Sequence, residues 1–123
     1  MGIDYGKRRV GVALTDDTAT LAFPHKVIQN SVQLLDDIRN ICKAENVSTV
    51  VLGQSLDLSG KENELMGDLN KFKDSLETGG LVVVWEPEYY TTQEAKRLQG
   101  KNSSTDASAA ALILKSYLEK TPR

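Results

Sequence analysis

Apolar residues recur along this chain with two periods, and the switches between them mark its elements. Met1 to Asp4 and Val10 to Thr15 are short apolar segments joined by a turn of glycine and cations, the pattern of a β-hairpin. Ala22 to Ile28 predicts a third strand, and Pro24 within it predicts a sheet edge, because proline has no N–H to give a ladder. From Asn30 or Ser31 the period becomes helical through Leu34, Leu35, Ile38, Ile41 and Cys42. A capping residue precedes this helix, Gln33 is placed to complete a capping box, and the helix ends near Asn46. Ser48 to Gly53 holds the continuous run Val50-Val51-Leu52, as expected of a central strand covered on both faces. After a loop through Asp57-Leu58-Ser59-Gly60, the stretch from Glu62 to Leu76 is amphipathic through Leu65, Leu69, Phe72 and Leu76, and Gly79-Gly80 terminates it. Leu81 to Trp85 is a second buried strand, which makes strand, helix and strand a right-handed parallel crossover. Thr92 to Leu98 predicts one or two helical turns. Thr105 or Asp106 then caps a last helix whose face of Ala109, Ala110, Ile113, Leu114, Tyr117 and Leu118 must lie on the sheet.

Three antiparallel strands followed by helix, strand, helix, strand and helix give an α/β protein with a mixed sheet of about five strands, the element order of a ribonuclease H-like fold. At 123 residues, with no long linker or internal repeat, the chain reads as one domain over 1–123. Its 40% apolar and 26% charged residues are ordinary for a globular protein, and no run approaches the roughly 20 apolar residues that span a bilayer. The start lacks the pattern of a signal peptide, so a cytoplasmic location is expected, with no membrane partner. Cys42 is the single cysteine and falls on the apolar helix face, where a thiol acts as a small hydrophobe. The lone His25 has no second histidine or thiolate with which to bind zinc, and reads as a strand surface residue.

A net charge of -2 gives no overall attraction to a polyanion, so any nucleic-acid binding must come from local charge. Two basic groups could supply it: Lys7, Arg8 and Arg9 in the first turn, and Lys96, Arg97 and Lys101 near the end. Asp4 is the other conspicuous charge, a carboxylate on a short strand, and such a group is costly unless it is paired or bound to a cation. The predicted topology sets the first and last strands near each other with the last helix across them, which would let Asp4, Glu88 and Asp106 converge. Three carboxylates with open positions suit Mg²⁺ or Mn²⁺, and two such ions about 4 Å apart can activate water against a phosphodiester. Glu86, two residues before Glu88 in an extended stretch, would point to the same side and could add a fourth carboxylate. Asp16 and Asp17 are explained by turn capping, Trp85 by the core, and Thr91 and Thr92 by a helix cap.

The segment Gly2-Ile3-Asp4-Tyr5-Gly6-Lys7-Arg8-Arg9-Val10-Gly11-Val12-Ala13, with Thr15-Asp16 after it, resembles the opening signature of the YqgF family, also called RuvX. Three later segments resemble other parts of that family. Val50-Val51-Leu52-Gly53 with Gly60 resembles its central strand and glycine loop, Glu88 with Thr91-Thr92-Gln93-Glu94-Ala95 its Asp-Glu-Arg-x-Thr-Thr segment, and Thr105 to Ala110 through Tyr117-Leu118 its closing helix. The resemblance covers nearly the whole chain. It implies a metal-dependent endonuclease with Asp4, Glu88 and Asp106 as the catalytic, metal-holding acids and nucleic acid as partner. Structured RNA, through 5′-end processing of pre-16S rRNA, is the first expectation; branched DNA, through Holliday junction resolution, is the alternative. Structured RNA comes first because resolving a four-way junction needs a symmetric dimer, and with no obvious self-complementary patch in the sequence a monomer is favoured.

The chain also departs from the family pattern. Pro87-Glu88-Tyr89 stands where the family carries Asp-Glu-Arg, and Gly53-Gln54-Ser55 where it carries Gly-Leu-Pro. The first departure admits another class, a catalytically weakened nucleic-acid-binding or assembly module. An actin-like kinase, whose phosphate loop also begins with a strand Asp followed by Gly, would need two lobes and is disfavoured by the chain's size as one domain.

Overall fold

The computed structural model describes the backbone of residues 1–56, 66–89 and 104–120. It contains β1 (Gly2–Tyr5), β2 (Arg9–Thr15), β3 (Ala22–Gln29), α1 (Leu34–Ala44), β4 (Thr49–Leu56), α2 (Met66–Thr78), β5 (Val82–Tyr89) and α3 (Ser104–Lys120). The loop expected at Asp57 to Gly60 and the helical turns expected at Thr92 to Leu98 lie outside the described residues.

The strands form one five-stranded sheet in the order β3-β2-β1-β4-β5. β1 pairs antiparallel with β2, and β2 with β3, while β4 runs parallel to both β1 and β5. The first and last strands are therefore not neighbours. They flank β4, because two parallel crossovers place the second half of the chain on one side of β1. β3 takes the edge that Pro24 predicts, and the β2–β3 register skips His25 between Val12↔Lys26 and Ala13↔Pro24. A bulge at this point bends the edge strand.

Alternation along the strands divides the core between two layers. Ile3, Val10, Val12, Val50, Leu52 and Val83 face α1 and α2, where Leu34, Ile38, Cys42, Met66, Leu69, Phe72 and Leu76 cover them. Ala13 and Val51 face α3, and Ala110, Ile113 and Leu114 cover them, with Val84, Tyr117 and Leu118 at the margin. The predicted face of the last helix is thus the one that meets the sheet. Cys42 is buried, which pushes its thiol pKa up, and His25 is exposed, both as expected.

The helix ends differ in detail from the sequence reading. Gln33 is itself the N-cap of α1 and makes no side-chain capping bond, while Ser31 Oγ accepts from the Gln33 N–H at 3.2 Å. The capping box is absent because the serine closes its own turn before the helix begins. Asn46 has φ of 56° just past α1, the left-handed stop expected there. Gly80, with φ of 95°, ends the turn after α2, a conformation that an L side chain rarely adopts. α3 already runs from Ser104, so Thr105 and Asp106 stand in its first turn rather than capping it.

Candidate active site

Asp4 owes its position to β1. Gly2, two residues earlier, faces α3 so closely that an added Cβ would stand 2.7 Å from both the Ala110 carbonyl oxygen and the Leu114 Cβ. Only glycine admits this approach of helix to strand. Strand alternation then puts Asp4 on the same face, one repeat further along β1, partly buried. Asp4 pairs with Gly11 of β2, and continuing the β1–β4 register past Ile3↔Leu52 brings Gly53 of β4 to its other side. Both cross-strand neighbours of this carboxylate are thus glycines, which contribute no side chain to the rung. Gly53 in turn pairs with Glu86, so Gly11, Asp4, Gly53 and Glu86 cross four strands on one rung.

α3 touches all five strands, and so crosses that face obliquely. Its C-terminal half, through Leu114, Tyr117 and Leu118, lines a cavity of about 680 Å³ shared with Met1, Thr15 and Asp16, at the end of β1 away from Asp4. Its first turn, which carries Asp106, lies on the other side of the Gly2 contact, one turn before Ala110. Glu88 sits on β5 opposite Ser55, two residues beyond the rung of Asp4. The side chains of Glu88 and Asp106 lie outside the described residues, as do Lys96, Arg97 and Lys101 altogether. Among the described residues no group of three His, Cys, Asp or Glu side chains is placed to hold a metal ion.

Lys7 and Arg8 in the β1–β2 turn and Arg9 at the start of β2 are exposed, at the Asp4 end of the sheet. That turn is held by its backbone: Gly6 N donates to Arg9 O at 3.0 Å, Asn30 N to Arg8 O at 2.8 Å, and Asn30 Nδ2 to Gly6 O at 2.7 Å. The cations therefore project from a fixed loop, which reduces the entropy cost of meeting a polyanion.

Glu86 has partners that the sequence reading did not foresee. Its carboxylate is buried, and Oε2 accepts from Ser116 Oγ at 2.8 Å and from Lys120 Nζ at 2.5 Å. Two α3 donors meet this charge. Alternation correctly indicates the face, but not that the last turns of a helix fill the space above it. The spacing of Ser116 and Lys120, one helical turn apart, is the signal that the sequence holds.

Asp16 behaves as the turn predicts. Its carboxylate accepts from Thr20 Oγ1 at 2.7 Å, Thr20 N at 2.8 Å, Leu21 N at 3.1 Å and Thr18 Oγ1 at 3.1 Å. The Thr20 hydroxyl first, then the Leu21 and Thr20 amides, hold its pKa well below the usual carboxylate range.

A mixed sheet in this order, with the last helix across the face that carries the first-strand carboxylate, defines a ribonuclease H-like fold. It is similar to that of Thermus thermophilus RuvC in complex with a Holliday junction substrate, with a TM-score of 0.59 and 17% identity, over 95% of this chain and 91% of that one. The sequence matches the family RuvX, described as Holliday junction resolvase, over residues 1–120. It is 34% identical to a protein of Anaplasma marginale named "Putative pre-16S rRNA nuclease", over 97% of this chain and 83% of that protein. A protein of Endomicrobium trichonymphae with the same name is 33% identical, over 97% and 94% respectively. The chain belongs to the RuvX family, and by that membership it is a phosphodiester hydrolase.

Proposed function

We propose that this protein is a metal-dependent endonuclease, one domain acting in the cytoplasm, that trims the 5′ end of pre-16S rRNA. The observation that carries the reading is the setting of Asp4, a strand carboxylate between cross-strand glycines on the face of the last helix. The fit to a metal rests on the chemistry of the donors. Carboxylates are the hard donors that Mg²⁺ or Mn²⁺ prefers. Asp4, Glu88 and Asp106 would hold the metal, which when bound supplies an activated water and charge stabilisation at the leaving oxygen. Lys7, Arg8 and Arg9 neutralise backbone phosphates at the same end of the sheet, with Lys96, Arg97 and Lys101 as a second basic group, and so position the scissile bond.

The rRNA substrate is favoured by the names of relatives that match nearly the whole chain. It is also favoured because end trimming needs one site, whereas junction resolution needs two coordinated cuts by a symmetric pair. The family description motivates branched DNA as the second reading. The test is cleavage of a pre-16S rRNA fragment and a four-way DNA junction side by side, with Mg²⁺, Mn²⁺ or EDTA. Metal-dependent cutting of the RNA alone supports the first reading, and paired symmetric nicks in the junction alone support the second. Tight binding without cleavage of either would make the chain an assembly module.

A further inference from the structure

The buried charge at Glu86 is bonded to Ser116 and Lys120, and so joins two elements that the proposed chemistry depends on. β5 carries Glu88 two residues beyond Glu86, and α3 carries Asp106 in its first turn. β5 ends at Tyr89 and α3 begins at Ser104, so the mutual setting of these elements depends on tertiary contacts rather than on a short connection. Glu86 makes such a contact with two donors, Ser116 and Lys120. The Glu86 side chain is 5% exposed, so a charge removed from water is here matched to a cation and a hydroxyl on adjacent turns of one helix.

We propose that Glu86, with Ser116 and Lys120, is a positioning latch that sets the tilt of α3 and thereby the place of Asp106 relative to Asp4 and Glu88. This inference rests on the metal-site reading. The mechanics follow from α3 being a rod with a close contact at its middle and a second toward its C-terminal end. Gly2, against Ala110 and Leu114, is a close approach that acts as a pivot. The latch lies on the C-terminal side of that pivot and Asp106 on the N-terminal side. Ser116 and Lys120 are about 15 and 21 Å along the helix from Asp106, at 1.5 Å per residue. Releasing the latch lets the far arm swing about Gly2 and displaces the first turn in the opposite sense. A displacement of about 1 Å at a reacting centre can cost about a hundredfold in rate, so a remote contact of this kind matters to catalysis.

The test compares Glu86→Gln, Lys120→Met and Lys120→Arg with the unaltered protein, using calorimetric binding of Mn²⁺ alone, kcat and KM on the cleaved substrate, and Tm in EDTA. Lys120→Met keeps the carboxylate at position 86, so it remains informative should Glu86→Gln fail to fold. A latch predicts that Glu86→Gln and Lys120→Met each weaken Mn²⁺ binding about tenfold and lower kcat with KM unchanged, and that Lys120→Arg keeps both near the unaltered values. The figure of about tenfold is the low end of what outer partners of a metal site cost. If Tm falls in both variants while Mn²⁺ affinity and kcat stay as they were, the contact is structural only and the latch is overturned. If Lys120→Met tightens Mn²⁺ binding, Glu86 is itself a ligand and the latch is again overturned. Should the unaltered protein bind no Mn²⁺, the metal-site reading fails first, a result distinct from equal binding by protein and variants.

Discussion

Asp4 and Asp16 carry the same carboxylate into different parts of the fold, a central strand and a surface turn. Asp4 stands on a strand between two cross-strand glycines, on the face that α3 covers. Asp4→Asn keeps the shape and removes the charge, and cleavage is expected to fall by more than about 100-fold, beyond the range typical of partners outside the ligand set. Circular dichroism and the cleavage assay together check this; an Asn variant that retains activity would move the chemistry elsewhere. Asp16 is satisfied entirely within its own turn by Thr18, Thr20 and Leu21. Because its pKa is depressed in the folded state, its contribution to stability is present above the ordinary aspartate value of about 3.9 and is lost as pH falls below it toward the folded pKa. Asp16→Asn should therefore lower Tm at neutral pH, with the gap to the unaltered protein narrowing as pH falls below about 4. A gap that stays constant into strong acid would show that the carboxylate's charge contributes nothing.

Elements are decided by which face each can bury. α1 shows its apolar stripe plainly in sequence, and Leu34, Ile38 and Cys42 are its buried residues. α3 is apolar around more of its circumference, and the sheet selects Ala110, Ile113 and Leu114 while leaving Leu112 exposed. Small alanines on that face bring the helix close to the sheet, as glycine does at Gly2. Leu114 is 2% exposed in the smaller of the two core clusters, with few neighbours able to fill a void. Leu114→Ala is expected to destabilise the fold by about 2 to 5 kcal/mol, the range for deleting buried leucine atoms. The urea midpoint measures it, and a shift worth less than about 1 kcal/mol would mean that α3 settles into the gap.

At the scale of the whole molecule, a net charge of -2 must be reconciled with a polyanionic substrate. Under the proposed function the β1–β2 hairpin would do this locally, since Lys7, Arg8 and Arg9 are exposed at the Asp4 end of the sheet beside a turn held by backbone bonds. Replacing Arg8 and Arg9 with alanine should weaken binding to RNA and DNA alike. It should also flatten the slope of log affinity against log salt by about 0.7 for each single-strand phosphate that is no longer neutralised. Mn²⁺ affinity should be unchanged. An unaltered salt slope would instead direct the substrate past Lys96, Arg97 and Lys101.

Periodicity alone determined the eight described elements and their order, because burial of one face is a local demand that each segment must answer in its own pattern. It also determined the edge position of β3, since Pro24 removes a ladder donor, and the buried faces of α1 and α3. The acids Asp4, Glu88 and Asp106 were legible as candidates from their residue type and their places at element ends. What local pattern could not decide was adjacency. Only the folded sheet put β4 between β1 and β5, set Gly11 and Gly53 on either side of Asp4, and brought the last turns of α3 over Glu86. The physical reason is that alternation states which way a side chain faces, whereas its partner stands 30 or 34 positions away in the chain and is chosen through packing that closes only when all the elements are in place.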